Sequence, residues 1–309
     1  MTESRQDSTV TTMRVGLVGT GYWARITHAP ALATLAGIEF SAVWGRNERA
    51  AAELAADHGA RAFGDFDEFL AGVNAVDFSV PPDIQAELAV RAARAGKHLL
   101  LEKPIATSLA SADALVAAVE HAGVSSVVFF TARFQPDVRA WLADVAGGAP
   151  PTGGHAEWFG TSMRESSPFN TPWRQDKGSL WDLGPHAVSL LWASLGPVVA
   201  VTADAGPADM TYLVLHHDGG ASSTVTMTQL ATAATQRYEV SVWGDGGRSA
   251  APAWTSEPPA VLRVALGELA GNASRGLADH ECDVRFGRDV VRILAEAQRQ
   301  IEQRRARRG

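Results

Sequence analysis

His98-Leu99-Leu100-Leu101-Glu102-Lys103-Pro104 is the stretch from which the rest of the chain can be read. Three consecutive leucines between polar ends predict a short strand buried on both faces, the mark of a parallel sheet. Pro104 fixes its own φ, cannot donate to a ladder, and biases Lys103 towards extended backbone. The sheet therefore ends at Glu102-Lys103-Pro104, and Lys103 is delivered at the carboxyl end of a strand. In open α/β sheets that edge is where ligands bind.

Working back from this strand, Arg14-Val-Gly-Leu-Val-Gly19-Thr20-Gly21-Tyr22-Trp23-Ala24 reads as an apolar strand, a glycine turn and a helix start. In that context G-x-G-x-x-G/A is a dinucleotide fingerprint. Gly19 permits the tight turn, Gly21 lets backbone approach a pyrophosphate, and the small Ala24 lets helix and strand pack closely. The helix N-terminus offers free N–H groups and a positive dipole end to the phosphates.

Strands and helices then alternate. Strands are expected at Ile38–Trp44, Ala75–Val80 and Val124–Phe130, with a short extended piece at Arg61–Phe63. Helices are expected from Arg46 or Asn47 to about His58, from an Asp65 cap to Ala71, from an Asp83 cap to Gly96, and over Ser108–His121. This spacing predicts a parallel, doubly wound sheet. His28, close before Pro30, reads as a break in the first helix.

The second strand ends Val43-Trp44-Gly45-Arg46-Asn47, without the carboxylate that usually holds an adenosine ribose. Glu39 is at the wrong end of the strand. An arginine in that place favours a 2′-phosphate, so NADP(H) is expected over NAD(H), with Arg46 as the reader.

With 309 residues, 46% of them hydrophobic and 20% charged, the chain is long enough for two domains. A net charge of −7 argues against nucleic acid or an anionic membrane as partner. A single cysteine, Cys282, excludes an internal disulfide and a multi-cysteine metal site. No apolar run reaches the roughly 18 residues of a membrane span. His155, Asp279, His280 and Glu281 have no metal-ligand spacing, and no catalytic metal is expected. The polar residues 1–12 read as a disordered lead-in, and a cytoplasmic location is expected.

Gly19-Thr20-Gly21-Tyr22-Trp23, Pro81-Pro82, Ala95-Gly96-Lys97-His98 and Glu102-Lys103-Pro104 occur in this order, followed by Trp173-Arg174 and Gly178-Ser-Leu-Trp-Asp182-Leu-Gly-Pro-His186. In these motifs the chain resembles the glucose–fructose oxidoreductase / inositol dehydrogenase (Gfo/Idh/MocA) family. The resemblance implies an α/β fold: an N-terminal Rossmann dinucleotide-binding domain and a C-terminal α/β domain with a large, mostly antiparallel sheet. The division is placed at 131/132, and a homodimer or homotetramer through the second sheet is implied. Candidate strands at His155–Ser162, Val198–Ala203, Tyr212–His217, Ser222–Gln229 and Tyr238–Val242, with a closing helix over Arg288–Arg305, agree with it.

The resemblance also assigns roles. Lys103 and His186 would act on the reacting oxygen, and Asp182 would bind substrate and tune its neighbours. Cofactor contacts are implied at Gly19, Thr20, Gly21, Tyr22 and Trp23, at Ser79 and Pro81, at Glu102 and Lys103, and at Trp173 and Arg174. Trp158 and Arg164 are further pocket candidates, and Arg133-Phe134 is expected to anchor the domain junction. Asp182 and His186 are four apart, so a helix over Ser179–Trp192 would put them on one face, although Pro185 fits only a first helical turn. A histidine suits proton transfer near neutral pH, and lysine could exchange that role with it. The expected function is hydride transfer between NADP(H) or NAD(H) and a sugar, cyclitol or related polyol. The alternatives are a carbonyl or imine reductase and a non-catalytic nucleotide sensor on the same fold. Gln85 stands where the family usually carries a histidine.

Overall fold

The computed structural model describes residues 12–308; the expected lead-in lies, but for its last residue, outside them. The first unit contains β1 (Met13–Val18), a π-helical turn at Ala24–His28 running into α1 (Ala29–Thr34), β2 (Ile38–Trp44), α2 (Glu48–Asp57), β3 (Arg61–Phe63), α3 (Phe66–Ala71) and β4 (Ala75–Phe78). It continues through α4 (Pro82–Arg94), β5 (His98–Glu102), α5 (Leu109–Ala122) and β6 (Ser126–Phe129). Its strands are all parallel, in the order β3-β2-β1-β4-β5-β6. The order reverses between β1 and β4, so the crevice at their carboxyl ends is the place for a dinucleotide.

Leu99, Leu100 and Leu101 of β5 are buried on both faces, each worth about 2 kcal/mol in apolar burial. Asn47, Asp65 and Ser108 cap α2, α3 and α5 through their side chains, and Gly123 closes α5 in the left-handed region. Asp83 is not a cap. Pro81 precedes the helix, Pro82 opens it and Asp83 lies in its first turn, because a proline needs no N–H partner there.

A short 3₁₀ turn at Thr131–Phe134 leads to α6 (Pro136–Gly147), β7 (Gly153–Phe159), α7 (Pro172–Asp182) and α8 (Gly184–Leu195). Then come β8 (Val198–Ala205), β9 (Thr211–His217), β10 (Ser222–Thr228), β11 (Arg237–Gly244), β12 (Gly247–Ala250), α9 (Pro258–Ser274) and α10 (Val284–Arg308). The second sheet has the order β12-β11-β7-β10-β9-β8, antiparallel except for the β7–β10 pair. α6 and α9 were not among the expected elements; both open at prolines, Pro136 and Pro258.

The end of the chain returns to the first sheet. Val128 N–H donates to the Cys282 carbonyl at 2.7 Å, and Ser125 Oγ donates to the Leu277 carbonyl at 2.7 Å. Arg133 is buried and reaches the Ser189 carbonyl and Glu281. It thereby ties the turn after β6 to α8 and to the segment before α10. No helix among the described residues is long and apolar enough to cross a membrane.

Candidate active site

The glycine turn follows β1. Gly19 has φ +128°, and a Cβ there would lie 2.2 Å from the Ser79 carbonyl oxygen. Only glycine fits this close approach of the loops after β1 and β4. A Cβ on Gly45 would meet Thr20 Cγ2 at 2.8 Å, so the end of β2 also closes on the turn. Gly21 meets nothing on its Cβ side and lines a cavity of about 590 Å³. A crowded glycine at the crossing and an open one beyond it form a cradle that fits a dinucleotide pyrophosphate.

The cavity lies between the carboxyl edge of the first sheet and the second unit. Tyr22, Trp23, Ser79, Pro81, Glu102 and Lys103 face it from the first unit. Trp158, Trp173, Arg174, Asp182 and His186 face it from the second. Gly19 and Thr20 stand behind Gly21, outside this lining. Arg46 is exposed beyond the end of β2 and does not reach the cavity. Arg164 is not part of it: its guanidinium donates to the Leu230 and Ala231 carbonyls.

Lys103 and Asp182 meet across 79 residues of chain. Lys103 Nζ donates to Asp182 Oδ1 at 2.7 Å and to the Asp182 carbonyl at 2.8 Å. Arg174 Nε donates to Asp182 Oδ2 at 2.7 Å, and Gln229 Nε2 donates to the same oxygen. Burial alone would raise the Asp182 pKa, but the charges and hydrogen bonds of Lys103 and Arg174 outweigh it and hold the carboxyl well below its usual range. Asp182 is an anion at every working pH.

The expected single helix over Ser179–Trp192 is two. α7 ends at Asp182 and α8 begins at Gly184, with Pro185 in its first turn. Pro185 cannot donate the backbone bond that a continuous helix needs. Asp182 and His186 converge on the cavity from a helix–helix junction instead of one helical face. Within α7, Gly178 is left-handed at φ 65°. Its Cβ would stand 2.5 Å from Asp209 Oδ1. The Asp209 carboxylate accepts from the backbone N–H groups of Ser179 and Gln229, which fixes the approach to Asp182 and the base of Gln229 together.

His186 stacks parallel to Trp158, with centroids 5.7 Å apart and planes 3° apart. Its Nδ1 finds no hydrogen-bond partner among the described residues. Burial, then the nearby positive charge of Lys103, pushes its pKa well below the usual histidine value. The imidazole is therefore neutral.

The break expected at His28 is the point where the π-helical turn gives way to α1. That turn carries the imidazole inward, where Nδ1 lies 2.9 Å from both Asp77 oxygens and Nε2 lies 3.2 Å from Glu102 Oε1. Burial would lower its pKa, but Asp77 and Glu102 overcome this and raise it to about 10. Trp23 Nε1 donates to the same Glu102 oxygen at 2.7 Å, and Lys103 N–H donates to Glu102 Oε2 at 3.1 Å. Gln85, buried beneath, holds the Glu102 backbone through both its N–H and carbonyl. Glu102 thus links Trp23, His28 and Lys103.

Tyr238 and Trp254 also line the cavity. No motif marks them or Gln229, because each is a single residue without local pattern. Among the described residues no cluster of three or more acidic, histidine or cysteine side chains could hold a metal.

Residues 13–130 match the model of an oxidoreductase family with an NAD-binding Rossmann fold, and residues 151–249 match the Gfo/Idh/MocA C-terminal domain. A 4-carboxy-2-hydroxymuconate-6-semialdehyde dehydrogenase of Sphingobium sp. is 30% identical over 200 residues, 63% of each chain. A glucose-6-phosphate 3-dehydrogenase of Bacillus subtilis is 27% identical over 188 residues, 58% of this chain and 53% of the relative. Both matches span less than two thirds of the relative's own length. The crystal structure of GenD2 from gentamicin A biosynthesis, in complex with NAD, superposes with a TM-score of 0.83 at 21% identity over 97% of each chain. At that identity the likeness concerns the fold. With both of its sheets matched by one family's two models, the chain belongs to the Gfo/Idh/MocA family of NAD-binding oxidoreductases.

Proposed function

We propose that this protein is a nicotinamide-dependent dehydrogenase that moves a hydride between a secondary alcohol of a sugar, cyclitol or related polyol and NADP(H) or NAD(H). The observation that carries this reading is the meeting of Lys103, Asp182 and a neutral His186 in one cavity beside the Gly19–Trp23 turn. A sensor without chemistry has no use for such an acid–base set.

The bound dinucleotide supplies the hydride acceptor. Gly19, Thr20 and Gly21 hold its pyrophosphate, with Ser79 and Pro81 on the facing loop. Tyr22, Trp23, Trp173 and Arg174 line the cavity and would contact the cofactor and the substrate there. Lys103 donates a hydrogen bond to the substrate oxygen and favours the charge that develops there. His186, already unprotonated, takes the hydroxyl proton. Asp182 stays anionic and holds Lys103 in place. Residues 1–131 serve the cofactor and 132–309 the substrate in this reading, in a cytoplasmic homodimer or homotetramer.

NADP(H) is favoured over NAD(H): Arg46 is exposed just beyond β2, and the stretch Val43–Asn47 carries no carboxylate to repel a 2′-phosphate. Titration of the protein with NADPH and NADH, followed by nicotinamide fluorescence and thermal shift, tests the reading. Tighter NADPH binding supports both claims, and tighter NADH binding overturns the preference alone. Binding of neither overturns the dehydrogenase, and a polyol and carbonyl screen with the preferred cofactor then tests turnover.

A further inference from the structure

The side of the cavity next to His186 is built of aromatic rings from three places in the chain. Trp158 comes from β7, Tyr238 from β11, and Trp254 from the irregular segment between β12 and α9. Trp158 is 2% exposed and packs against both others, at 5.7 Å from Tyr238 and 5.6 Å from Trp254. Tyr238 and Trp254 lie 9° from parallel, with centroids 5.8 Å apart. Both are open to the cavity, at 39% and 36% exposure. A buried tryptophan behind two exposed rings is a supported platform.

Trp254 is also held in position. Ser256 N–H donates to Gln135 Oε1 at 3.3 Å, and Gln135 Nε2 donates back to the Ser256 carbonyl at 3.2 Å. Gln135 itself is buried. Thr255 Oγ1 donates to Asp137 at 2.7 Å. The segment is thus tied down through its backbone and the Thr255 side chain immediately after the ring it presents. Large exposed rings fixed beside an acid–base group are unfavourable in water and gain when a ligand covers them.

The charges of the cavity point the same way. Its cations are Lys103 and Arg174, and both lean on the Asp182 carboxylate. Arg174 gives a further bond to the Phe169 carbonyl at 3.1 Å. The remaining carboxylate, Glu102, is engaged by Trp23 and His28. The lining therefore offers a phosphate or carboxylate no cation that is not already committed, and burying an unpaired anion is costly.

We propose that the substrate is an uncharged, ring-bearing alcohol whose flat apolar face lies on Tyr238 and Trp254, with Trp254 the specificity-determining residue. The inference rests on the cavity being the substrate site of the dehydrogenase proposed above. A cyclic polyol or glycoside without a phosphate, carboxylate or nucleotide has this chemistry: one face of C–H groups for the rings, and hydroxyls for Lys103 and His186.

The test is equilibrium binding to the full chain saturated with its preferred cofactor, read by calorimetry, so that it does not depend on turnover. Matched pairs serve as probes: methyl glucoside against glucose 6-phosphate, methyl galactoside against galacturonate, and myo-inositol against its monophosphate. The expected result is that in at least one pair the uncharged member binds about tenfold or more tightly. Trp254→Ala then weakens that binding about tenfold with the cofactor Kd unchanged, and Trp254→Phe recovers most of it. Charged members binding as well or better, no uncharged probe binding, or Trp254→Ala without effect each overturn the proposal. If Trp254→Ala instead dissolves an oligomer and leaves probe binding intact, the rings belong to an interface between copies and the proposal fails. Binding without turnover would fail the dehydrogenase reading alone.

Discussion

Lys103 Nζ bonds both the side chain and the backbone carbonyl of Asp182, at 2.7 and 2.8 Å. The pair joins the last residue of α7 to the residue just after β5, and it spans the cavity floor between the two units. A lysine so held is aimed as well as charged.

Lys103→Met removes this donor while keeping the volume of the stem. The expected result is a fall in kcat of about 10²–10⁴-fold, with the dinucleotide Kd within a few-fold of wild type. Stopped-flow turnover and fluorescence titration measure the two. Undiminished kcat would show that Lys103 does not act on the reacting oxygen.

Local chemistry was readable in the chain, and long-range pairing was not. Leu99–Leu101, Pro104, Gly19, Asp65 and the helix starts at Asn47 and Ser108 act through their immediate neighbours, so the parallel, doubly wound sheet and the position of Lys103 followed from them, while the order of the strands did not. Lys103, Asp182 and His186 were found through motifs, and the structure brings them to one cavity. His28 meets Asp77 across 49 residues and Glu102 across 74, distances at which one histidine near a proline carries no signal. Gln229, Tyr238 and Trp254 were missed for the same reason. The single helix through Asp182 and His186 failed at Pro185, which only a new first turn accommodates.

Arg46→Asp places a carboxylate where a ribose 2′-hydroxyl would be welcomed and a 2′-phosphate repelled. The ratio of NADPH to NADH affinity should fall about tenfold or more, as measured by parallel titrations of both cofactors. An unchanged ratio removes Arg46 from cofactor selection. Stability should not move, because the side chain is exposed and makes no hydrogen bond among the described residues.

His28 is fully buried between two carboxylates. Its pKa is raised to about 10 in the folded protein from 6.5. Such a group stabilises fully below the unfolded value, and the contribution is lost as pH rises through the folded one. Wild-type stability in urea should therefore decline between about pH 6.5 and 10, and His28→Gln should flatten that decline. His28→Leu leaves Asp77 and Glu102 buried without their cation and should cost about 3–5 kcal/mol. A wild-type stability that stays flat over this range, as in His28→Gln, would show His28 to be neutral.

His186 is neutral because burial, and then Lys103, disfavour its charge. As the base of an oxidation it needs no deprotonation at ordinary pH, so kcat/KM should stay level as pH falls through 6.5 and drop only below it. The sign is definite: a lowered pKa moves the acid limb down, never up. His186→Asn keeps a polar side chain without a titrating group, and should lower kcat about 10²-fold or more while erasing the acid limb. An acid limb above pH 6.5 in wild type, or one that persists in His186→Asn, would pass the proton-accepting role to another group, with Lys103 the nearest claimant in the cavity.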